Sequence, residues 1–295
     1  MSLPVITYTD SLNRVFNLMV DLDTGNTNSQ EYGGRIFSAA FHDFSWSKKT
    51  YGKRYGERVL GFTKDAKEYT VNLLFGGSYD ERKRVLDLFH SAIENDVMNE
   101  TPGTLRWDDF TIKCFIISSE THPSSSVEGY TENEVNIYCP DPFWVRTTSS
   151  EFFIQDLPED TTDDAKDYPN KYPFNYLAET VRQGTINNTS LYSSNWQIVI
   201  NGYAVDPKIK IGNLEIALNL VINTGEYLTI TCKNQEKSIF LTNIFGRKLN
   251  RFGYRDTSKY IFEKIPKGLQ HITWNGGYSW TLTLFEERSE PRWIS

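Results

Sequence analysis

The sequence predicts a mainly β chain in two domains. The first is β-rich, with one α-helix and a long β-hairpin arm; the second is an all-β sandwich or jelly roll. Three observations carry this reading. Aromatic residues make up 14% of the 295 residues, with 17 Tyr and 18 Phe, which suits strands and large buried contacts rather than disorder. A single segment has strong helix punctuation. From Tyr176 onward, short alternating runs recur between turn signals at intervals of about 8–12 residues. The length also suits two cores, read as residues 1–150 and 176–295 joined by a linker over 151–175.

In the first domain, Tyr8-Thr9-Asp10 leads into an apolar-alternating stretch over 13–18, and residues 35–46 interleave apolar and polar positions. Residues 47–58 (SKKTYGKRYGER) are polar, basic and punctuated by glycine, so they read as an exposed excursion. Glu68 to Phe75 reads as a strand stopped by Gly76-Gly77. The helix follows. Ser78-Tyr79-Asp80-Glu81 has the form of a capping box, in which the Ser oxygen accepts from a backbone N–H and Glu81 reaches back to the cap. Behind it Val85, Leu86, Phe89 and Ile93 fall on one helical face. His90 within this pattern reads as a packed or surface side chain, since no second ligand stands at a suitable spacing.

Thr101-Pro102-Gly103 makes a turn, and residues 104–118 alternate as a strand. A polar tip runs from Glu120 to Glu132, and a second strand returns over Glu134 to Cys139. Two long strands joined by a tip of about a dozen residues, longer than the usual hairpin loop, form the arm. Cys139-Pro140-Asp141-Pro142-Phe143-Trp144 ends it: Pro140 and Pro142 cannot donate to a ladder, and Phe143 and Trp144 can anchor the chain as it leaves the domain.

Residues 156–173 read as a solvated acidic linker. They lack the glycine and ligand spacing of a calcium loop. Candidate strands of the second domain are 196–201, 207–211, 214–222, 227–232, 237–243, 269–274 and 279–285. Turn signals separate them at Asn201-Gly202, Gly212-Asn213, Asn223-Thr224-Gly225 and Asn275-Gly276-Gly277.

The chemistry legible in the chain is sparse. The formal net charge is −7. Residues 1–145 hold 14 Lys and Arg against 21 Asp and Glu, whereas residues 146–295 hold 17 of each. An acidic chain is a poor general binder of phosphates. Cys114, Cys139 and Cys232 have neither a disulfide framework nor zinc spacing, and read as small buried hydrophobes. No phosphate-binding loop, dinucleotide fingerprint, nucleophile elbow or zinc-protease motif occurs, so neither a cofactor, a metal nor an enzyme is expected. No run of 18 apolar residues occurs, which excludes a transmembrane helix, and the start lacks the pattern of a secretory signal. One reading of the chain's function is a carbohydrate-binding module. Trp196, Trp274 and Trp280 lie in strand-like alternation, where a core role is the bland reading. Trp274, beside a turn, is the candidate for stacking on a saccharide.

The order of parts, with the residues from Glu134 to Trp144, the strand over 68–75 with its Gly76-Gly77 break, the helix after it, and the ending from Gly225-Glu226-Tyr227 through Trp293, resembles the distal tail protein (Dit) family of siphovirus-type phages and prophages of Gram-positive hosts. The resemblance implies a tail-tube-like first domain that forms a ring, usually a hexamer, and a galectin-like second domain. It further implies contacts with the tail-tube protein, with the tail-associated tip or lysin protein, and with receptor-binding or baseplate proteins. Double-stranded DNA would pass without specific binding. The site would be the phage tail tip, reached from the host cytoplasm during assembly, with no membrane and no catalytic residues. On this view the arm end, Glu120, His122, Pro123, Tyr130 and Glu134, is the candidate ring seam, since an arm can reach a neighbour. The basic stretch Lys48, Lys49, Lys53, Arg54 and Arg58 is either a solvated loop or a contact for an acidic partner face. Family members with an added carbohydrate module are longer here, so adhesion through a partner is the expectation over direct saccharide binding.

Overall fold

The structure is a computed structural model and describes residues 4–19, 32–122, 130–153, 182–234, 236–275 and 277–292. Pro123 of the arm tip, the linker from residue 154, Gly276 and Trp293 lie outside the described residues. The chain divides into two compact units, Met1–Arg146 with Glu287–Ser295, and Thr147–Glu286. The sequence reading kept everything after 176 in the second domain. The final segment instead belongs to the first unit, where the Ser289 carbonyl accepts from Lys64 Nζ at 3.4 Å, a long-range contact that local patterning cannot show.

The first unit opens with β1 (Ile6–Thr9) and β2 (Val15–Asn17). The buried Asp10 carboxylate shapes the turn between them, accepting from the amides of Leu12 and Arg14 at 3.0 and 2.7 Å. Next come β3 (Tyr32–Gly33), β4 (Arg35–Ala39), β5 (Ser47–Gly52), β6 (Glu57–Thr63) and β7 (Lys67–Phe75). Helix α1 (Tyr79–Met98) has the expected capping box: the Glu81 amide donates to Ser78 Oγ, and the Ser78 amide donates to Glu81 Oε2 at 2.9 Å. These bonds satisfy donors that the first helical turn leaves open. The Ser78 hydroxyl, donating to Glu81 Oε2 at 2.7 Å, and then the Ser78 amide hold the Glu81 carboxyl below the usual carboxylate range.

The run read as one strand over 104–118 is two, β8 (Gly103–Trp107) and β9 (Phe110–His122). Asp108, at φ +50°, turns the chain so that Trp107 pairs with Phe110. Then follow β10 (Thr131–Cys139) and β11 (Trp144–Phe152), of which residues 147–152 belong to the second unit; the ladder resumes directly after the two prolines. β1 pairs with β2 and β8, β8 with β9, β9 with β10, β10 with β7 and β7 with β4. Gly34 and Ile36 then donate to the carbonyls of Asn17 and Leu18, which closes the hydrogen-bonded path. Phe89 of α1 packs edge-on against Phe16 and Tyr8 at 5.4 and 6.3 Å between centroids. Gly103 is required by Tyr8: a Cβ there would lie 2.5 Å from the phenol oxygen.

The second unit contains β12 (Arg182–Asn188), β13 (Asn195–Asn201), β14 (Ala204–Val205), β15 (Lys208–Ile211), β16 (Leu214–Ala217), β17 (Val221–Ile222), β18 (Tyr227–Cys232), β19 (Lys237–Thr242), β20 (Lys248–Asn250), β21 (Gly268–Trp274) and β22 (Ser279–Arg288). One antiparallel sheet runs β20-β19-β18-β13-β22, and a second runs β12-β21-β15-β16. Alternate residues of both point into one core, among them Ile198, Ile230 and Leu282 from the first and Ile211, Ile216 and Ile272 from the second. This is a β-sandwich. The run read as one strand over 214–222 is split, because the chain leaves β15 after Ala217 and Val221–Ile222 pairs with β14 instead. At Gly212 the backbone has φ +56° and a Cβ would lie 2.5 Å from Gln270 Oε1, so the turn between β15 and β16 needs glycine.

Candidate self-association and partner surfaces

The exit motif is tied into the first unit. Trp144 is fully buried, its indole N–H donating to Tyr69 Oη at 3.4 Å, and its ring lies 5.9 Å from that of Phe41. Pro142 is buried, Phe143 half-buried and Pro140 exposed. Lys64, just past β6, donates to the Pro142 carbonyl at 2.8 Å and lies over the Phe143 ring at 4.8 Å. Trp46, just before β5, flanks the same ring at 6.0 Å. The motif therefore holds both feet of the β5–β6 segment.

That segment is exposed as the sequence suggested, but it is regularly paired rather than a loop. The polar stretch is a regular β-hairpin, and among the described residues its strands pair only with each other. Its tip is closed by Lys53 N donating to Gly56 O at 3.0 Å. A bulge at Leu60 separates the pairs Lys49↔Gly61 and Thr50↔Val59. Cross-strand partners share a face, so Lys48, Val59 and Phe62 lie on one side, and Lys49, Tyr51 and Arg58 on the other. On the first side Lys48 is matched by Glu57 at 3.1 Å. Val59, Leu60 and Phe62 are all more than half exposed, and Tyr55 at the tip is 83% exposed. Stopping the basic stretch at residue 58 separated it from this apolar run.

The expected arm is present as β9 and β10, but it does not stand free. β10 pairs over its whole length with β7, so it is an interior strand. The outward side of β7-β10-β9 is set by register and burial. Across it run the rows Asn72–Glu134–Glu120 and Leu74–Glu132–His122, and further along Glu68–Tyr138–Phe115. Glu120 and Glu134 are directly opposite one another. His122 Nε2 lies 3.8 Å from Glu120 Oε1, both well exposed; Tyr130 is half-buried at the start of β10. On the opposite, inward side Asn133 is fully buried and bonded to His90 Nε2 at 3.1 Å, with Ser119 Oγ at 3.0 Å from the same nitrogen. His90 is therefore a packed residue.

Trp274 corrects the saccharide expectation. It is 2% exposed and packs against Phe152 and Trp280 with centroids 5.9 Å away in both cases, because position 274 falls on the inward side of β21. A ring enclosed by two others offers no face to a sugar. The three cysteines are free and buried, and a hydrogen bond with Cys139, with burial behind it, pushes the Cys114 thiol up. Among the described residues, no group of three His, Cys, Asp or Glu could hold a metal ion, and no helix is long and apolar enough to cross a membrane. A shallow depression of about 350 Å³ lies beside α1, lined in part by Arg82, Lys83, Asp87, His90 and Thr131.

No family model matches this sequence, and no curated protein matches it. Solved structures do. The crystal structure of the SPP1 Dit (gp 19.1) protein, a paradigm of the hub adsorption apparatus in phages infecting Gram-positive hosts, matches with a TM-score of 0.58 at 13% identity, over 96% of this chain and 99% of that one. This is the distal tail protein fold. A chain of the phage P2 baseplate in its activated conformation with Ca matches at a TM-score of 0.60 and 11% identity, over 98% of this chain and 100% of that one. The same baseplate with Sr gives 0.59 and 10%. The Dit fold accounts for a mostly β chain with one capped helix ahead of a β-sandwich.

Proposed function

We propose that this chain is a structural subunit of a phage tail tip: a distal tail ring protein, or baseplate hub. It would join the tail tube to the tip and receptor-binding proteins and let double-stranded DNA pass. The observation that carries this reading is the extent of the fold likeness, 96–98% of this chain against 99–100% of hub and baseplate chains, so both units and their order are matched rather than one common module.

The surfaces support an assembling role. A ring subunit must present two different patches that meet head to tail, and the first unit presents a free-standing hairpin and a separate acidic sheet face. The negative balance of residues 1–145 suits a conduit that does not grip phosphates. The second unit would project binding surface for adhesion proteins. Its buried Trp274 disfavours direct saccharide stacking. Negative-stain imaging of tail tips bearing a tagged copy of this chain tests the reading: label arranged as a ring below the tube supports it, and tips assembled without the chain overturn it.

A further inference from the structure

The ring reading leaves open what closes the seam. We infer that the β5–β6 hairpin is the clasp, and that the cationic face carrying Lys49, Tyr51 and Arg58 lies on the acidic outward face of β7-β10-β9 of a second copy, against Glu120, Glu132 and Glu134. This inference rests on the ring reading and names the contact within it.

Three observations converge. A lone two-stranded ribbon is marginally stable in water, yet this one holds Tyr51 67% exposed on its cationic face, with Lys49 and Arg58 exposed beside it. Trp46, Lys64 and Phe143 fix its base, so it is an element held ready to be covered. Its charge is sharply opposed to its surroundings: residues 47–63 hold five Lys and Arg against one Glu, while the rest of residues 1–145 hold nine against twenty, a net of −11. The acceptor face carries an internal conflict. Glu134 of β10 stands directly across from Glu120 of β9, and like charges in that position repel. A cationic strand laid across the row relieves the repulsion. Tyr138 and Phe115, two rows along the same face, extend it with ring surface beside which Tyr51 can pack.

The occupant is a second copy rather than another acidic protein because one chain carries both halves. A donor and a different acceptor on the same subunit make a heterologous contact, which closes by rotation into a ring. A contact built on exposed charges weakens with salt, since screening acts within about 10 Å at 0.1 M.

Charge exchange on the full chain, read by sedimentation and native mass spectrometry, tests the clasp. K49E/R58E is expected to raise the concentration at half-assembly by about tenfold or more, and E120K/E134K to do the same. Joining all four changes is expected to recover assembly to within about threefold of wild type, with the unfolding temperature of K49E/R58E unchanged. A wild-type oligomer that K49E/R58E leaves intact overturns the clasp and assigns the hairpin to another partner, while the ring reading survives. Loss in both double variants with no recovery on combination overturns the pairing of these two faces. A wild-type chain that stays monomeric at every concentration removes the ring reading and the clasp together.

Discussion

The Lys64 ammonium lies 4.8 Å from the centre of the Phe143 ring and donates to the neighbouring Pro142 carbonyl at 2.8 Å. One residue at the foot of the hairpin thus holds the motif by which the chain leaves the first unit. Burial pushes the Lys64 pKa down to about 8, with the charge of Lys67 adding to the effect and Asp141 opposing it. The folded value lies below the ordinary 10.5, so between about pH 8 and 10.5 this lysine holds more protons in the unfolded chain and its own contribution to stability rises with pH. Thermal unfolding across that window is expected to show the stability of wild type rising relative to that of Lys64→Met; a constant difference between the two would contradict it.

Tyr8 Oη donates to Asp96 Oδ2 at 2.5 Å, with both residues fully buried. The same carboxylate accepts from the Ser11 amide at 2.9 Å, so Asp96 pins the first strand and turn to the end of α1. Tyr8→Phe keeps the ring and leaves the carboxylate short of a donor. A loss of about 1–3 kcal/mol is expected, measured as a lower denaturant midpoint at unchanged slope.

Ser78→Ala removes the cap of α1 and is expected to cost about 0.5–2 kcal/mol. With Ser78 present, the Glu81 carboxyl titrates below its ordinary value, so its contribution stands above the usual carboxylate range and is lost as pH falls through the folded pKa. The difference in stability between wild type and Ser78→Ala should therefore shrink on acidification. A constant difference would mean the box is not the cause.

Trp274→Ala opens a cavity beside Phe152 and Trp280 and is expected to destabilise the second unit by about 3–5 kcal/mol. Calorimetry measures this directly. A variant with wild-type stability that loses binding on a glycan array would restore the saccharide reading.

Much of the architecture was legible. The helix was visible because Ser78 and Glu81 mark its start and Phe89 and Ile93 recur on one face. The sandwich strands were visible because each buries one side, which leaves the period of two in the sequence. The hairpin was hidden for the opposite reason: Ser47–Thr63 buries neither side, and the bulge at Leu60 puts Val59 and Phe62, three residues apart, on one face. The β10–β7 pairing and the return of Glu287–Ser295 to the first unit are long-range, and no local pattern reports them. Trp274 misled because an adjacent turn suggests exposure, whereas the direction of a strand side chain depends on register.

The central claim is that copies of this chain close into a ring at the tail tip. The mass of density per axial layer in a cryo-EM reconstruction of the assembled tip tests it most directly. The account expects several copies related by rotation, the first unit of each touching the next on both sides; a single copy at the tip, or copies that never touch, would contradict it.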